Sequence, residues 1–331
     1  MTATLPQIKR IRHFAARVER FVPWLALVAA PIGVLLLLRS QREAVMTIDW
    51  SIPWQVLVVS AVAFAVAPLL QGVSFWLVLR LLTGSTPASD AMLVWSRSYV
   101  VRYAPTGALA IAYRLSARQR LHASADQVLA AYAYEHLGAL AAGAATCLVL
   151  FALAGNLPPL LPLGVALVTL ALTAAVRPGI AGRALQSLAG RLGLHLSVIL
   201  PGRQLAAVVA VNALGWLGTG TAVYVLVAAV TRSAPGFVWL AGSYTAGYLV
   251  GFVTPLAPGG LGAREGTLVV LLGPRYGTGI ALGISLMIRL VNIAGELLAV
   301  ALVHGACAAC ALWRRGRGFG RVAAHESVAA S

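Results

Sequence analysis

Charge is scarce in this sequence. Asp, Glu, Lys and Arg make up 10% of its 331 residues and hydrophobic residues 60%, whereas a soluble globular domain carries about 25% charged residues. The deficit is concentrated. Residues 21–38, 50–79, 137–176, 204–231 and 233–263 contain no Asp, Glu, Lys or Arg, and most of these runs exceed the roughly 20 residues that cross a bilayer's hydrocarbon core. That excludes a soluble domain. It also excludes a barrel, whose strands alternate over about 10 residues. The expectation is an all-α polytopic membrane protein.

Acids are scarcer still, at 9 against 25 Lys and Arg, for a net charge of +16. That excess does not imply nucleic acid as a partner. The basic residues lie in short segments between apolar runs, as the positive-inside rule expects. Cysteine is limited to Cys147, Cys307 and Cys310. The last two form C-x-x-C, but inside the Ala-rich stretch "HGACAACALW" with no further ligands nearby, so they read as small helix-packing residues. No Ser-His-Asp set, metal-ligand spacing or nucleotide-binding loop is present. Neither a cofactor nor an enzymatic activity is expected.

The basic N-terminus (Lys9, Arg10, Arg12, Arg17, Arg20) precedes the apolar run Phe21 to Leu38 without a small-residue cleavage site, so that run reads as a retained first span. Further helices are expected over about 53–80, 125–153 (with Ser124 as N-cap), 159–176, 204–231 and 278–312. Two segments, about 88–112 and 237–273, are apolar but interrupted. If both dip into the membrane and return, most basic residues fall on one side. That side holds the N-terminal group, Arg80, Arg114, Arg118, Arg120, Arg177, Arg183, Arg191, Arg203, and the cluster Arg314, Arg315, Arg317 and Arg321. Arg39, Arg42, Arg232 and Arg275 fall on the other. The expected fold is therefore about six full transmembrane helices plus two re-entrant helical hairpins, with both termini cytoplasmic. It divides into a basic N-terminus (1–20), one transmembrane domain (21–312) and a basic tail (313–331). Irregular backbone at membrane depth is tolerated where protein or a wet cavity surrounds it.

The interruptions resemble each other. "RYAPTGALAIAYR" (102–114) and "PLAPGGLGAREG" (255–266) share Ala-Pro-x-Gly. Each follows an apolar helix and precedes one bearing an acid, Glu135 and Glu296. Entry from opposite sides makes this the pattern of an inverted repeat, with chance likeness in Ala/Gly/Pro-rich sequence as the competing reading. Pro255 and Pro258 end the incoming helix. Gly259, Gly260 and Gly262 admit torsions closed to other residues. The helix that begins near Leu261 presents free N–H groups to an anion. Charges at this depth (Arg97, Arg102, Glu135, Arg264, Glu265, Arg289, Glu296) need partners or water. They either lock the bundle internally or line a polar cavity for a charged solute. Glu265 either caps its helix or balances Arg264 or Arg289. His136 reads as a packed, hydrogen-bonded residue.

Beyond the spacing, "PLAPGGLGAREG" followed by "GISLMIRLVNIAGELL" resembles the lysylphosphatidylglycerol synthase transmembrane, or flippase-like, family over about 50–312. The family's C-terminal signature falls on Pro255, Pro258, Gly259, Gly260, Leu261, Gly262, Glu265 and Arg289. Its earlier element falls on Pro105, Gly107 and Arg114, and its following Glu on Glu135. The chain departs from the family at Tyr99 to Tyr103, where Asn is frequent, at Thr106-Gly107, and at Gly138, where an Asp is common.

The resemblance implies lipid movement across a bacterial plasma membrane. Two-part members continue into a soluble aminoacyl-transferase domain. This chain ends shortly after its last helix, so lysyl-lipid synthesis is not expected. The expected function is translocation of a lipid with an anionic or lipid-linked headgroup. Its expected site comprises Arg102, Pro105, Gly107, Arg114, Glu135, Pro255, Pro258, Gly259, Gly260, Gly262, Arg264, Glu265, Arg289 and Glu296. A membrane lipid is the expected partner, with a second copy of the chain or envelope-biosynthesis enzymes as further candidates. Two alternatives stay open. One is a membrane-embedded enzyme on lipid-linked sugars, with Glu135 and His136 as its acid and base. The other is a non-transporting scaffold of envelope synthesis.

Overall fold

The computed structural model describes residues 39, 42–46, 51–101, 108–155, 200–231, 236–253 and 262–329, with side chains through 313. Among the described residues every regular element is helical. In chain order these are α1 (Arg42–Met46), α2 (Trp54–Thr83), α3 (Ala88–Val100), α4 (Ala108–Ser116), a 3-10 turn (Ala117–Gln119), α5 (Ala125–Leu153), α6 (Gly202–Thr231), α7 (Phe237–Val253), α8 (Ala263–Tyr276) and α9 (Thr278–Ala329). Among the described residues four helices are long and apolar enough to cross a membrane: α2, α5, α6, and α9 over Thr278–Trp313. The spans expected at 21–38 and 159–176 lie outside the described residues. So does the break at 102–107, and so does 254–261 of the other.

Local signals account for the boundaries. Ser124 Oγ accepts from Gln127 N–H at 3.2 Å and Gln127 Oε1 accepts from Ser124 N–H at 2.9 Å. This reciprocal pair satisfies two donors that a helix start leaves open. Ser124→Ala is expected to cost about 1 kcal/mol, read as a lower unfolding midpoint of the purified protein. The α8 start was expected near Leu261 and lies at Ala263, preceded by Gly262 at φ 84, a torsion natural only to glycine. The last helix does not end at 312, as expected, but continues to Ala329.

Side-chain contacts fix the helix directions. Asn212 of α6 donates to Ser74 of α2, while Gly215 lies against Ala67 and Gly218 against Val66, so α2 and α6 run antiparallel. Trp216 Nε1 donates to the Ala139 carbonyl and Gly138 lies against Val208, which makes α5 parallel to α6. Gly295 of α9 meets Phe64 and Ala61, and Val303 joins the cluster of Phe75 and Val78, which makes α9 parallel to α2. In the first interrupted segment the helices also run antiparallel. Arg114 of α4 reaches Ser98 of α3, and just beyond α4 the Leu121 carbonyl accepts from Thr86, which precedes α3. Gly247 of α7 lies against Arg264 and Leu268 of α8.

The helix interfaces repeat with the halves exchanged. Where α2 packs on α3, α5 and α9, α6 packs on α7, α9 and α5. Where α3 packs on α4 and α9, α7 packs on α8 and α5. The pair α4–α5 recurs as α8–α9, and α2–α6 maps onto itself. Two buried clusters fill opposite ends of the bundle. One contains Phe75, Trp95 and Val128; the other contains Phe64, Leu240 and Ile284. Apolar side chains such as Val58, Val62, Val149, Leu214, Leu297 and Leu302 remain exposed, which suits a surface facing lipid rather than water.

Candidate functional site

Six of the expected site residues are buried ionic groups, in two separate sets: Arg114 with Glu135, and Arg264, Glu265, Arg289 and Glu296, each at most 6% exposed. Gly262 joins the second set. Arg102, Pro105, Gly107, Pro255, Pro258, Gly259 and Gly260 lie outside the described residues. Arg97, expected to need a partner at depth, has an exposed side chain instead.

In the first half, Arg114 of α4 is locked to Glu135 of α5. Its guanidinium donates to both carboxylate oxygens, and its Nε donates to Ser98 Oγ at 2.7 Å. Trp95 Nε1 donates to Glu135 Oε1 at 3.0 Å. The cation lies over the Phe75 ring at 4.2 Å and the Tyr132 ring at 4.9 Å. Charge, hydrogen bonds and aromatic faces all complement one another, as a buried pair requires. Glu135 and its neighbour His136 face different ways. Glu135 enters this lock, whereas His136 Nδ1 donates to the Tyr132 carbonyl at 2.9 Å and His136 borders the cavity.

The second half carries the same arrangement with the signs exchanged. The acid, Glu265, is on the short helix α8 and the base, Arg289, is on the long helix α9. Arg289 donates to Glu265 Oε1 at 3.3 Å, while Glu265 Oε2 accepts from Gly262 N–H at 2.7 Å. The two readings of Glu265 are therefore both realised: one oxygen caps the helix and the other balances an arginine. Arg264 is held by aromatic groups. It donates to the Tyr244 hydroxyl and lies over the rings of Tyr244 at 4.6 Å and Tyr248 at 5.1 Å. The chain of bonds continues from Tyr244 to Asn292 Oδ1 at 3.0 Å, and from Asn292 Nδ2 to Glu296 Oε1 at 2.9 Å.

That chain ends at a partly open cavity of about 60 Å³ lined by residues of α2, α3, α5, α6, α7 and α9. At about 30 Å³ per water it has room for a few waters or a small group. Sequence reasoning missed most of its polar lining: Gln71, Asn212, Thr219, Tyr248 and Asn292. It searched apolar runs for charge, whereas these side chains are neutral. Amides such as Asn212 and Asn292 inside charge-free or membrane-depth helices were the available signal.

A family model described as the lysylphosphatidylglycerol synthase TM region matches residues 9–313, which takes in both interrupted segments and all four described spans. No curated protein sequence matches the chain.

Proposed function

The chain belongs to the lysylphosphatidylglycerol synthase TM-region family, and from that premise we propose that it is a lipid translocase of the bacterial cell membrane. The proposed topology has six full spans, both termini in the cytoplasm, and two re-entrant hairpins, α3–α4 and α7–α8, entering from opposite faces. The helix directions and lengths support it. With 13, 17 and 14 residues in α3, α7 and α8, these helices reach about 20, 26 and 21 Å at 1.5 Å per residue. Each is short of the roughly 30 Å hydrocarbon core. The exchange of interfaces between halves supports an inverted repeat, an architecture that places its site between the repeats.

One observation carries the site assignment. The Glu265 carboxylate sits between the Gly262 N–H and Arg289, two donors that also suit a phosphate or other anionic headgroup. Glu265 stands in for that anion when the site is empty. A headgroup entering from one leaflet displaces it, keeps both donors satisfied, and leaves toward the other leaflet as Glu265 returns. The central cavity supports transport over the scaffold reading, for which the buried charges would close completely on one another.

The test is translocation of fluorescent phosphatidylglycerol in proteoliposomes, followed by quenching of outer-leaflet probe. Arg289→Gln and Glu265→Gln are expected to fall to the protein-free background, and Arg120→Gln, in an exposed pair, to retain the parent rate. Unchanged rates in both site variants, with folding verified, would remove the assignment.

A further inference from the structure

Arg97 takes no part in either buried ionic set. Its side chain is exposed, and among the described residues it has no hydrogen-bonding, ionic or ring partner. The one acid on α3, Asp90, is already paired with Arg120 at 2.7 Å. What sets Arg97 apart is its depth. Trp95 of α3 lies against Gly72 of α2 and donates to Glu135 of α5. Gly72 is eleven residues before the end of α2, and Glu135 is ten after the start of α5. At 1.5 Å per residue Trp95 is therefore roughly 15 Å inside that end of the bundle. Arg97 is two residues further in, near the middle of the bundle and not at its rim.

The surface around it is apolar. Leu93 and Val100, one turn to either side on the same face of α3, are half-buried. On α9, which packs on α3, the Cys307 thiol marks the level of Ser89 by donating to its carbonyl at 3.8 Å. Helix α9 runs antiparallel to α3, so Arg97 lies level with the stretch between Leu297 and Leu302, 48% and 51% exposed. A guanidinium facing hydrocarbon costs a few kcal/mol at least, and snorkelling relieves it only near helix ends. No protein acid offsets that cost here. A lipid phosphate does: its oxygens meet the guanidinium fork, while its acyl chains stay in hydrocarbon beside Leu93, Val100 and the exposed leucines. We propose that Arg97 binds the phosphate of an anionic lipid on the outer surface of α3, below the level of the bilayer's headgroups. The site is separate from the exchange at Glu265 and does not rest on translocation: a chain that moves no lipid still binds one here.

The experiment uses the purified full chain with p-benzoylphenylalanine in place of Val100, in phosphatidylcholine bilayers holding a minor share of phosphatidylglycerol. After illumination, mass spectrometry counts the adducts of each lipid. Phosphatidylglycerol is expected among the adducts at severalfold its share of the bilayer. Raising NaCl from 0.1 M to 1 M shortens the screening length from about 10 Å to about 3 Å, which removes attraction by arginines in water but leaves a site in hydrocarbon intact. Arg97→Gln, a change on the surface, is expected to return the adducts to the bilayer's composition, and Arg97→Lys to keep most of the enrichment. The same probe at Leu93 keeps the test open if the chain does not fold with the probe at position 100. Four outcomes overturn the proposal: no lipid adduct, enrichment that survives Arg97→Gln, enrichment lost at 1 M NaCl, or enrichment displaced by inorganic phosphate at matched ionic strength.

Discussion

Arg114→Met is expected to destabilise the protein by about 3–5 kcal/mol, the range for removing one partner of a buried ion pair. Glu135 is 0% exposed, and its carboxylate would keep only Trp95 as a neutral donor. Glu135→Leu is expected to cost a similar amount, because it strands the guanidinium between two aromatic rings. The combined Arg114→Met/Glu135→Leu variant is expected to recover most of the loss, since neither charge is then buried alone. A double-mutant cycle of unfolding free energies in mixed micelles measures the coupling. The Arg120–Asp90 pair supplies the comparison. Its side chains are 47% and 28% exposed, and breaking it is expected to cost no more than about 1 kcal/mol. Equal costs at the two pairs would show that the inner one is not a lock.

Gly295→Ala carries the second large effect. A Cβ there would lie 2.6 Å from Phe64 Cβ and 2.7 Å from the Ala61 carbonyl oxygen. Both neighbours are fixed to the α2 backbone, so α2 and α9 must move apart to admit it. Overpacking of this kind costs about 1–3 kcal/mol, and close backbone approach is a main source of association between membrane helices. The same substitution at Gly305, on the same helix with nothing within 4 Å, is expected to be neutral or stabilising by up to about 1 kcal/mol through helix propensity. The two unfolding midpoints, compared in one detergent, separate packing from propensity.

Much of the fold was legible because a bilayer imposes simple rules. Charge-free runs placed α2, α5 and α6 to within a few residues, and the Ser124 and Gln127 pair placed the start of α5. The two interrupted segments were recognisable because proline and glycine have fixed backbone consequences. The end of α9 was misjudged. The apolar run was expected to set its end at about 312, yet arginine is a good helix former in water, and the helix continues through Arg314, Arg315 and Arg317 to Ala329.

By itself, then, the sequence determined that this is a helical membrane protein, which segments are apolar enough to cross, where two of them break, and that ionic groups lie at depth. Burial in hydrocarbon is a property of composition and run length, and those are local. Tertiary structure alone decided which charges face each other. Arg114 closes on Glu135, Arg289 on Glu265, and Arg264 on two tyrosines, pairings that depend on helix direction and rotation. It also decided which hydrogens Asn212, Thr219 and Tyr244 have already committed, to Val208, Trp216 and Asn292. A residue's charge is written in the chain, but its remaining hydrogen-bonding capacity exists only after its neighbours are in place.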